Sequence, residues 1–277
     1  MHKFTILTSL YNSNNFLNNY FKTIFDQLLL PDEIILIDDT KNPHNLEKII
    51  EEQKTKNRFK NIILLKNPEN LGPTMSLNKG LLKCSNNLIF RLDVDDLWLP
   101  NHTIQTLEYY EKDNSYLIYA NSLKEKNFWT TMKCDEYFIN ENHLIHSSWL
   151  INKNICKNFK YRMSRPSVAL EDYYTMLYYK WHNFKFFFSN NITTIYTENI
   201  SSHGRRYLYN KKYISIRKKI SILFLKLYLR NKNFLQIMNF ILFQYGLLKL
   251  IVLIIWILDY IKIRHFSLYI KKYFKSY

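Results

Sequence analysis

The sequence predicts an α/β domain built on a mostly parallel sheet with helices on both faces. Short apolar runs alternate along its first half with segments of helical periodicity. The connections between them are short, so strand follows helix in β-α-β order, the pattern of a parallel sheet covered on both sides. Three polar groups, Thr8 to Asn12, Asp38-Asp39 and Asp93 to Asp96, sit where apolar strands end. In such sheets ligands bind beyond the carboxyl ends of the strands.

Phe4–Leu10 is a short apolar run stopped by Tyr11-Asn12-Ser13-Asn14, and reads as a buried strand. Phe16, Leu17, Tyr20, Phe21, Ile24, Phe25 and Leu28 recur at helical spacing, and Pro31 closes that helix. Glu33-Ile34-Ile35-Leu36-Ile37 is a second strand, ending in the acid pair. A helix over Leu46 to Lys56, a strand at Ile62-Ile63-Leu64-Leu65 and a short helix over Thr74 to Leu82 follow. Leu88 to Leu92 is the fourth strand and runs directly into Asp93-Val94-Asp95-Asp96. Further on, Glu171-Asp172 opens a run with Tyr173, Met176, Leu177 and Trp181 at helical spacing.

Length and charge divide the chain. Its 277 residues suffice for one α/β domain, expected over 1–210, and an extension over 211–277. The net charge is +16, but 14 Lys and Arg stand against the single acid Asp259 from Lys211 onward. The first 210 residues therefore carry only +3. A nucleic-acid-binding domain would hold its basic residues on the recognition surface, so nucleic acid is a poor partner for this body. The basic extension mixes Lys and Arg with Ile, Leu, Phe and Trp, which suits an anionic membrane surface. Phe234 to Leu258 is long enough to span a bilayer, yet Lys249 lies inside it and basic residues flank both ends. A helical surface anchor is expected. Failing contact with lipid, the segment would pack on protein, for example in a homodimer interface. Cys84, Cys134 and Cys156 have no metal-site spacing and read as reduced thiols. Phe4–Leu10 is too short and too rich in Thr and Ser for a secretory signal, so a cytoplasmic location is expected, peripheral on the membrane face.

No Gly-rich phosphate loop is present, so a phosphate ligand needs another counter-charge. Asp93 and Asp95 point to the same side of an extended segment. Two hard carboxylates there can hold Mg²⁺ or Mn²⁺ with positions left open for pyrophosphate oxygens. The bland alternative is a solvated acidic turn with Asp96 capping a helix near Leu99.

Five segments, in order, resemble the inverting family 2 glycosyltransferases of GT-A fold, from about Phe4 to about Ser202. Phe4-Thr5-Ile6-Leu7-Thr8-Ser9-Leu10-Tyr11-Asn12 is similar to the family's opening strand, and Ile34-Ile35-Leu36-Ile37-Asp38-Asp39 to its second strand. Asn70-Leu71-Gly72-Pro73-Thr74-Met75-Ser76-Leu77-Asn78-Lys79-Gly80 resembles the N-x-G…R-N-x-G segment. Leu92-Asp93-Val94-Asp95-Asp96-Leu97-Trp98-Leu99-Pro100 resembles the metal-binding D-x-D-D with its Trp-x-Pro, and Leu170-Glu171-Asp172-Tyr173 the Glu-Asp motif.

The resemblance implies a nucleotide-diphosphate sugar donor and a glycan or glycolipid acceptor. Tyr11 and Asp39 would hold the base and ribose, with Thr8, Asn70 and Lys79 in the same donor-side segments. Asp95 would ligate the metal beside Asp93. Asp172 would be the general base, with Glu171 supporting it or binding the acceptor. Where the family carries an arginine, this chain has Leu77, and Lys79 or Arg91 is the available substitute cation. His146 would line the acceptor side or serve as a structural histidine. Arg205 and Arg206 would meet a diphosphate or anionic acceptor, or stay solvated. Trp98 and Trp129 would stack on sugar or pack in the core. The rivals are a nucleotidyltransferase, which would show a Gly- and Arg-rich loop early in the chain, an impaired sugar-nucleotide binder, and nucleic-acid binding through the basic extension.

Overall fold

The structure is a computed structural model in which residues 2–40, 46–57, 59–125, 131–132, 146–162 and 171–197 are described. The element order is β1(Phe4–Leu10), α1(Leu17–Phe25), β2(Glu33–Asp38), α2(Leu46–Lys56), β3(Ile62–Lys66), α3(Pro73–Leu81), β4(Leu88–Arg91), β5(Leu97–Trp98), α4(His102–Lys112), β6(Ile118–Glu125), β7(Thr131–Met132), β8(Trp149–Asn152), α5(Glu171–Trp181) and β9(Phe186–Tyr196). The extension expected over 211–277 lies outside the described residues. Among the described residues no helix is long and apolar enough to cross a membrane.

The strands form one curled sheet in the order β3-β2-β1-β4-β8-β6-β9-β5, with β7 paired to β6. The first half is parallel, as β1 pairs with both β2 and β4, and β2 with β3. Beyond β4 the sheet mixes: β8 runs antiparallel to β4 and β6, while β6 and β9 run parallel. The parallel half is apolar on both faces, which requires cover on both. Every residue of β2 is buried. On one face Phe4, Ile6, Ile34, Leu36 and Phe90 meet Leu17, Tyr20, Phe21 and Ile24 of α1 and Leu107 and Tyr110 of α4. Each such side chain contributes roughly 1.5–3 kcal/mol of burial. On the other face α3 lies very close to the sheet. A Cβ at Gly80 would stand 2.5 Å from Leu7 Cδ1 and 2.6 Å from Ile37 Cδ1, so a larger residue there would force those two side chains to move.

Helix α1 ends at Phe25, earlier than Pro31 predicts. Gln27 explains the early stop: its side-chain amide donates back to Thr23 O (3.0 Å) and across to Leu99 O (2.9 Å), tying the helix end to the strand-to-helix corner. Asp96 does not cap the next helix, because α4 begins only at His102, with Asn101 at its N-cap.

His102 is wholly buried, stacked on Trp98 with ring centroids 4.3 Å apart and held through Nδ1 by Thr193 Oγ1 at 2.8 Å. Burial lowers its pKa to about 3, so the native ring is neutral. The unfolded ring takes up a proton near pH 6.5. Between those two values the unfolded state binds more protons, and stability falls as pH falls. We expect the unfolding free energy of the parent to drop relative to His102→Gln by up to about 1.4 kcal/mol per pH unit between about pH 6 and 4. Denaturant titrations at several pH values check this, and equal slopes for the two proteins refute it.

Candidate active site

Strand β1 lies between β2 and β4, so Tyr11 and Asn12 emerge between the two acidic strand ends. Register fixes this: Leu10 pairs with Asp38 and Leu7 with Arg91. The chain leaves β1 toward β2 and β3, then returns to β4 on the other side. That is the switch point at which open α/β sheets form a crevice. Tyr11 is 43% exposed there, and Asn12 turns the chain with φ 51°, a conformation asparagine tolerates. Its amide donates to Thr40 Oγ1 at 3.1 Å, and Thr40's amide to Asp38 Oδ1 at 3.0 Å.

Asp39 is buried and its carboxylate organises the loop after β3. Oδ1 accepts from Asn67 Nδ2 (2.8 Å) and Leu71 N (2.7 Å), and Oδ2 from Gly72 N (2.7 Å). Gly72 has φ 80° and ψ 166°, a region essentially closed to side-chain-bearing residues, and Asn70 Oδ1 also accepts its amide at 3.0 Å. Lys79 Nζ donates to Asn67 Oδ1 (2.8 Å) and Lys66 O (2.7 Å), which turns the Asn67 amide nitrogen toward Asp39 and Ser76 Oγ. Asp39, Asn70 and Lys79 thus belong to one network that fixes the loop. Thr8 is different. Its hydroxyl is wholly buried, donating to Leu92 O (2.7 Å) and meeting Tyr20 Oη (2.8 Å), so it locks β1 to the end of β4.

The second acidic end is a turn closed by Asp96 N donating to Asp93 O at 3.2 Å. Beneath it lies Arg91, 1% exposed, with Nη2 paired to Asp93 Oδ1 and Nη1 donating to Leu7 O and Leu92 O. Asp93 and Asp95 are half-buried and Asp96 is fully buried. Burial pushes the Asp96 carboxyl well above the usual range, and the charges of Asp95 and Asp93 push it further, against hydrogen bonds from Ser147 and Thr197. Three carboxyls crowd one turn over a single buried guanidinium. Leu77, at the family's arginine position, is wholly buried on α3. Arg91 serves the acidic turn, and Lys79 serves the end of β3.

Asp172 lies in the first turn of α5, where the helix dipole favours a carboxylate, and is half-buried. Glu171 opens the same helix. The segment before α5 ties it to α3: Asn78 accepts Tyr161 N (2.8 Å) and donates to Tyr161 O (3.0 Å). Arg162 N then donates to Thr175 Oγ1 (2.9 Å) and Lys160 N to Tyr179 Oη (2.8 Å). His146 is buried edge-on against Trp149 and Tyr161, with centroids 4.8 and 5.0 Å away. Burial, and then the charge of Arg91, hold it well below the ordinary histidine pKa, so it is a neutral packing group. Trp98 packs in the core. Burial and the charge of Glu33 push the Cys84 thiol up to about 12, and Cys84 and Cys156 are both free thiols. Trp129, Cys134, Arg205 and Arg206 lie outside the described residues.

The sequence model described as Glycosyl transferase family 2 matches residues 5–184. The chain belongs to glycosyl transferase family 2. Two curated relatives agree. An uncharacterized glycosyltransferase of Haemophilus influenzae is 34% identical over 125 residues, covering 44% of this chain and 46% of the relative. A UDP-Gal:alpha-D-GlcNAc-diphosphoundecaprenol beta-1,3-galactosyltransferase of Escherichia coli is 30% identical over 128 residues, covering 46% of each chain. The chain thus spans about half the length of the curated relatives it matches. Among solved structures, a mannosyltransferase of Pyrobaculum calidifontis in complex with GDP-Man and Mn²⁺ superposes with a TM-score of 0.62 at 13% identity, covering 91% of this chain and 78% of that one. The sheet of this family 2 glycosyltransferase is the GT-A fold.

Four residues of this transferase's site have weak sequence signals. Asn67, Asn78 and Ser147 act through hydrogen bonds to segments 28, 83 and 54 positions away in sequence. Arg91 ends an otherwise apolar strand, and a charge on a fully buried strand was the one available clue. Among the described residues no group of three or more His, Cys, Asp or Glu side chains forms a metal cage. What the Asp93–Asp96 turn offers is carboxylate oxygen from one or two residues. That donor set fits a hard divalent ion that completes its shell with phosphate oxygens and water.

Proposed function

We propose that this family 2 glycosyltransferase moves a sugar from a nucleotide-diphosphate donor to a hydroxyl of a glycan acceptor, with inversion. The observation that carries the reading is the meeting of Tyr11, the Asp39 network and the Asp93–Asp96 turn at one switch point of the sheet. Base and ribose lie against Tyr11 and the loop that Asp39 holds through Leu71 and Gly72. The diphosphate lies toward Asp93 and Asp95, with Asp95 as the metal ligand. Asp95 would hold a Mn²⁺ or Mg²⁺, which would supply charge neutralisation for the departing nucleotide diphosphate.

The Asp172 carboxylate takes the proton from the acceptor hydroxyl. The freed oxygen forms its bond to the anomeric carbon as the bond from that carbon to the diphosphate oxygen breaks. Glu171 supports the base or orients the acceptor. A single displacement from the face opposite the leaving group inverts the centre. Thr8, Lys79 and His146 act indirectly, through the fold of the pocket walls.

The acceptor is a lipid-linked glycan precursor, and the enzyme works peripherally at the cytoplasmic membrane face. The Escherichia coli relative's name, with its diphosphoundecaprenol-linked substrate, supports this, as does the basic, apolar composition of 211–277.

Three measurements test the reading. Asp95→Asn should abolish Mn²⁺-dependent binding of the nucleotide-sugar donor while the unfolding transition stays cooperative; unchanged Mn²⁺ dependence removes Asp95 from the metal site. Asp172→Asn should lower kcat about 100-fold or more with little change in donor affinity, and near-parental turnover sinks the base assignment. The full chain should bind anionic vesicles and release them as salt rises, because screening weakens head-group contacts. Binding indifferent to salt, or none, argues against the surface anchor.

A further inference from the structure

The reaction assigned above uses Asp95 and Asp172, but a second tie on the acidic turn comes from another part of the chain. Ser147 lies in a short 3-10 turn, His146–Ser148, just before β8, and is wholly buried. Its hydroxyl oxygen accepts the amide of Asp93 at 2.9 Å. The same oxygen lies 2.5 Å from Asp96 Oδ2 and 3.4 Å from Asp93 Oδ2. Its carbonyl accepts the indole N–H of Trp98 at 2.6 Å. A serine hydroxyl has one hydrogen and two lone pairs. Ser147 therefore accepts from the start of the turn, donates to its end, and grips the strand that follows. Asp96 completes the tie by accepting Thr197 N at Oδ1, 3.0 Å away. Arg91 restrains the opposite side through Asp93.

The turn is thus fixed at residues 93, 96 and 98, and Asp95 stands half-buried between fixed neighbours. We propose that Ser147 is a positioning residue for the donor-side metal: it sets the Asp93–Asp96 turn so that Asp95 is held ready to ligate, while Asp96 serves as a tie and not as a ligand. This rests on the reading of Asp95 as metal ligand. Groups that orient a metal ligand from behind typically carry 10–100-fold in metal affinity. A hydroxyl that served only the fold would carry stability and leave the affinity of folded protein unchanged.

The test titrates Mn²⁺ into the full-length chain in the presence of UDP and GDP. Bound metal is read from loss of the free-ion electron paramagnetic resonance signal against a protein-free control. Ser147→Ala should need about 10–100-fold more Mn²⁺ for half-saturation, and Ser147→Thr, which keeps the hydroxyl, should lie near the parent. Ser147→Cys keeps the shape and weakens both hydrogen bonds, so it should fall between them and serves if the alanine variant does not fold. A responsive parent whose alanine or cysteine variant binds Mn²⁺ within twofold of it overturns the positioning role alone. So does an equal loss in the alanine and threonine variants. A parent that binds no Mn²⁺ overturns the metal reading and this proposal together.

Discussion

Arg91 carries a guanidinium into the end of the parallel sheet and stays 1% exposed there, and the acidic edge depends on it. A buried cation without partners costs several kcal/mol. Here Asp93 takes one nitrogen, and the carbonyls of Leu7 and Leu92 take another. Those carbonyls belong to β1 and to the residue after β4, the two strands that flank the switch point. One side chain therefore joins the strands and offsets the charge of the turn above them. Without it, three neighbouring carboxyls would face one another in a partly dry site, where like charges disfavour ionisation.

The walls of the crevice are assembled by the same device at different places. A polar side chain on one segment closes the hydrogen bonds of a backbone far away in sequence. Asp39 does this for the amides of Leu71 and Gly72, Asn78 for both backbone groups of Tyr161, and Ser147 for the amide of Asp93. Loops in a crevice cannot use the sheet ladder, yet their buried polar groups must be paired. Side chains on or next to the strands and helices meet that demand and tie the loops to the fold. A stationary loop is what a site needs when catalysis rests on placing a donor, a base and an acceptor together.

Much of the fold was legible because its signals are local. The helix Leu46–Lys56 and the strand Phe4–Leu10 occur with the bounds that periodicity predicts, and the strands at 33, 62 and 88 begin where expected. A parallel strand buried on both faces is a bare apolar run, and a helix packed on it shows its stripe. The second half was harder to read. Strands β5, β6, β8 and β9 pair across 29 to 98 positions of sequence, and β9 carries a register shift against β6. Nothing local marks such pairing.

By itself the sequence determined that acids close two strands, that glycine stands at 72 and 80, and that the body is nearly neutral while the extension is basic. These follow from residue identity and short-range spacing, the same quantities that set strand ends and permitted backbone angles. Tertiary structure alone decided the use of each polar group. Thr8 and His146 turned inward, Lys79 was committed to Asn67, Arg91 was placed under the acids, and Ser147 was brought to Asp93 and Asp96. Those outcomes depend on which distant backbone groups were left unpaired after the sheet formed. Only the packed chain supplies that information, because a hydrogen bond is worth little in water and much where water has been excluded.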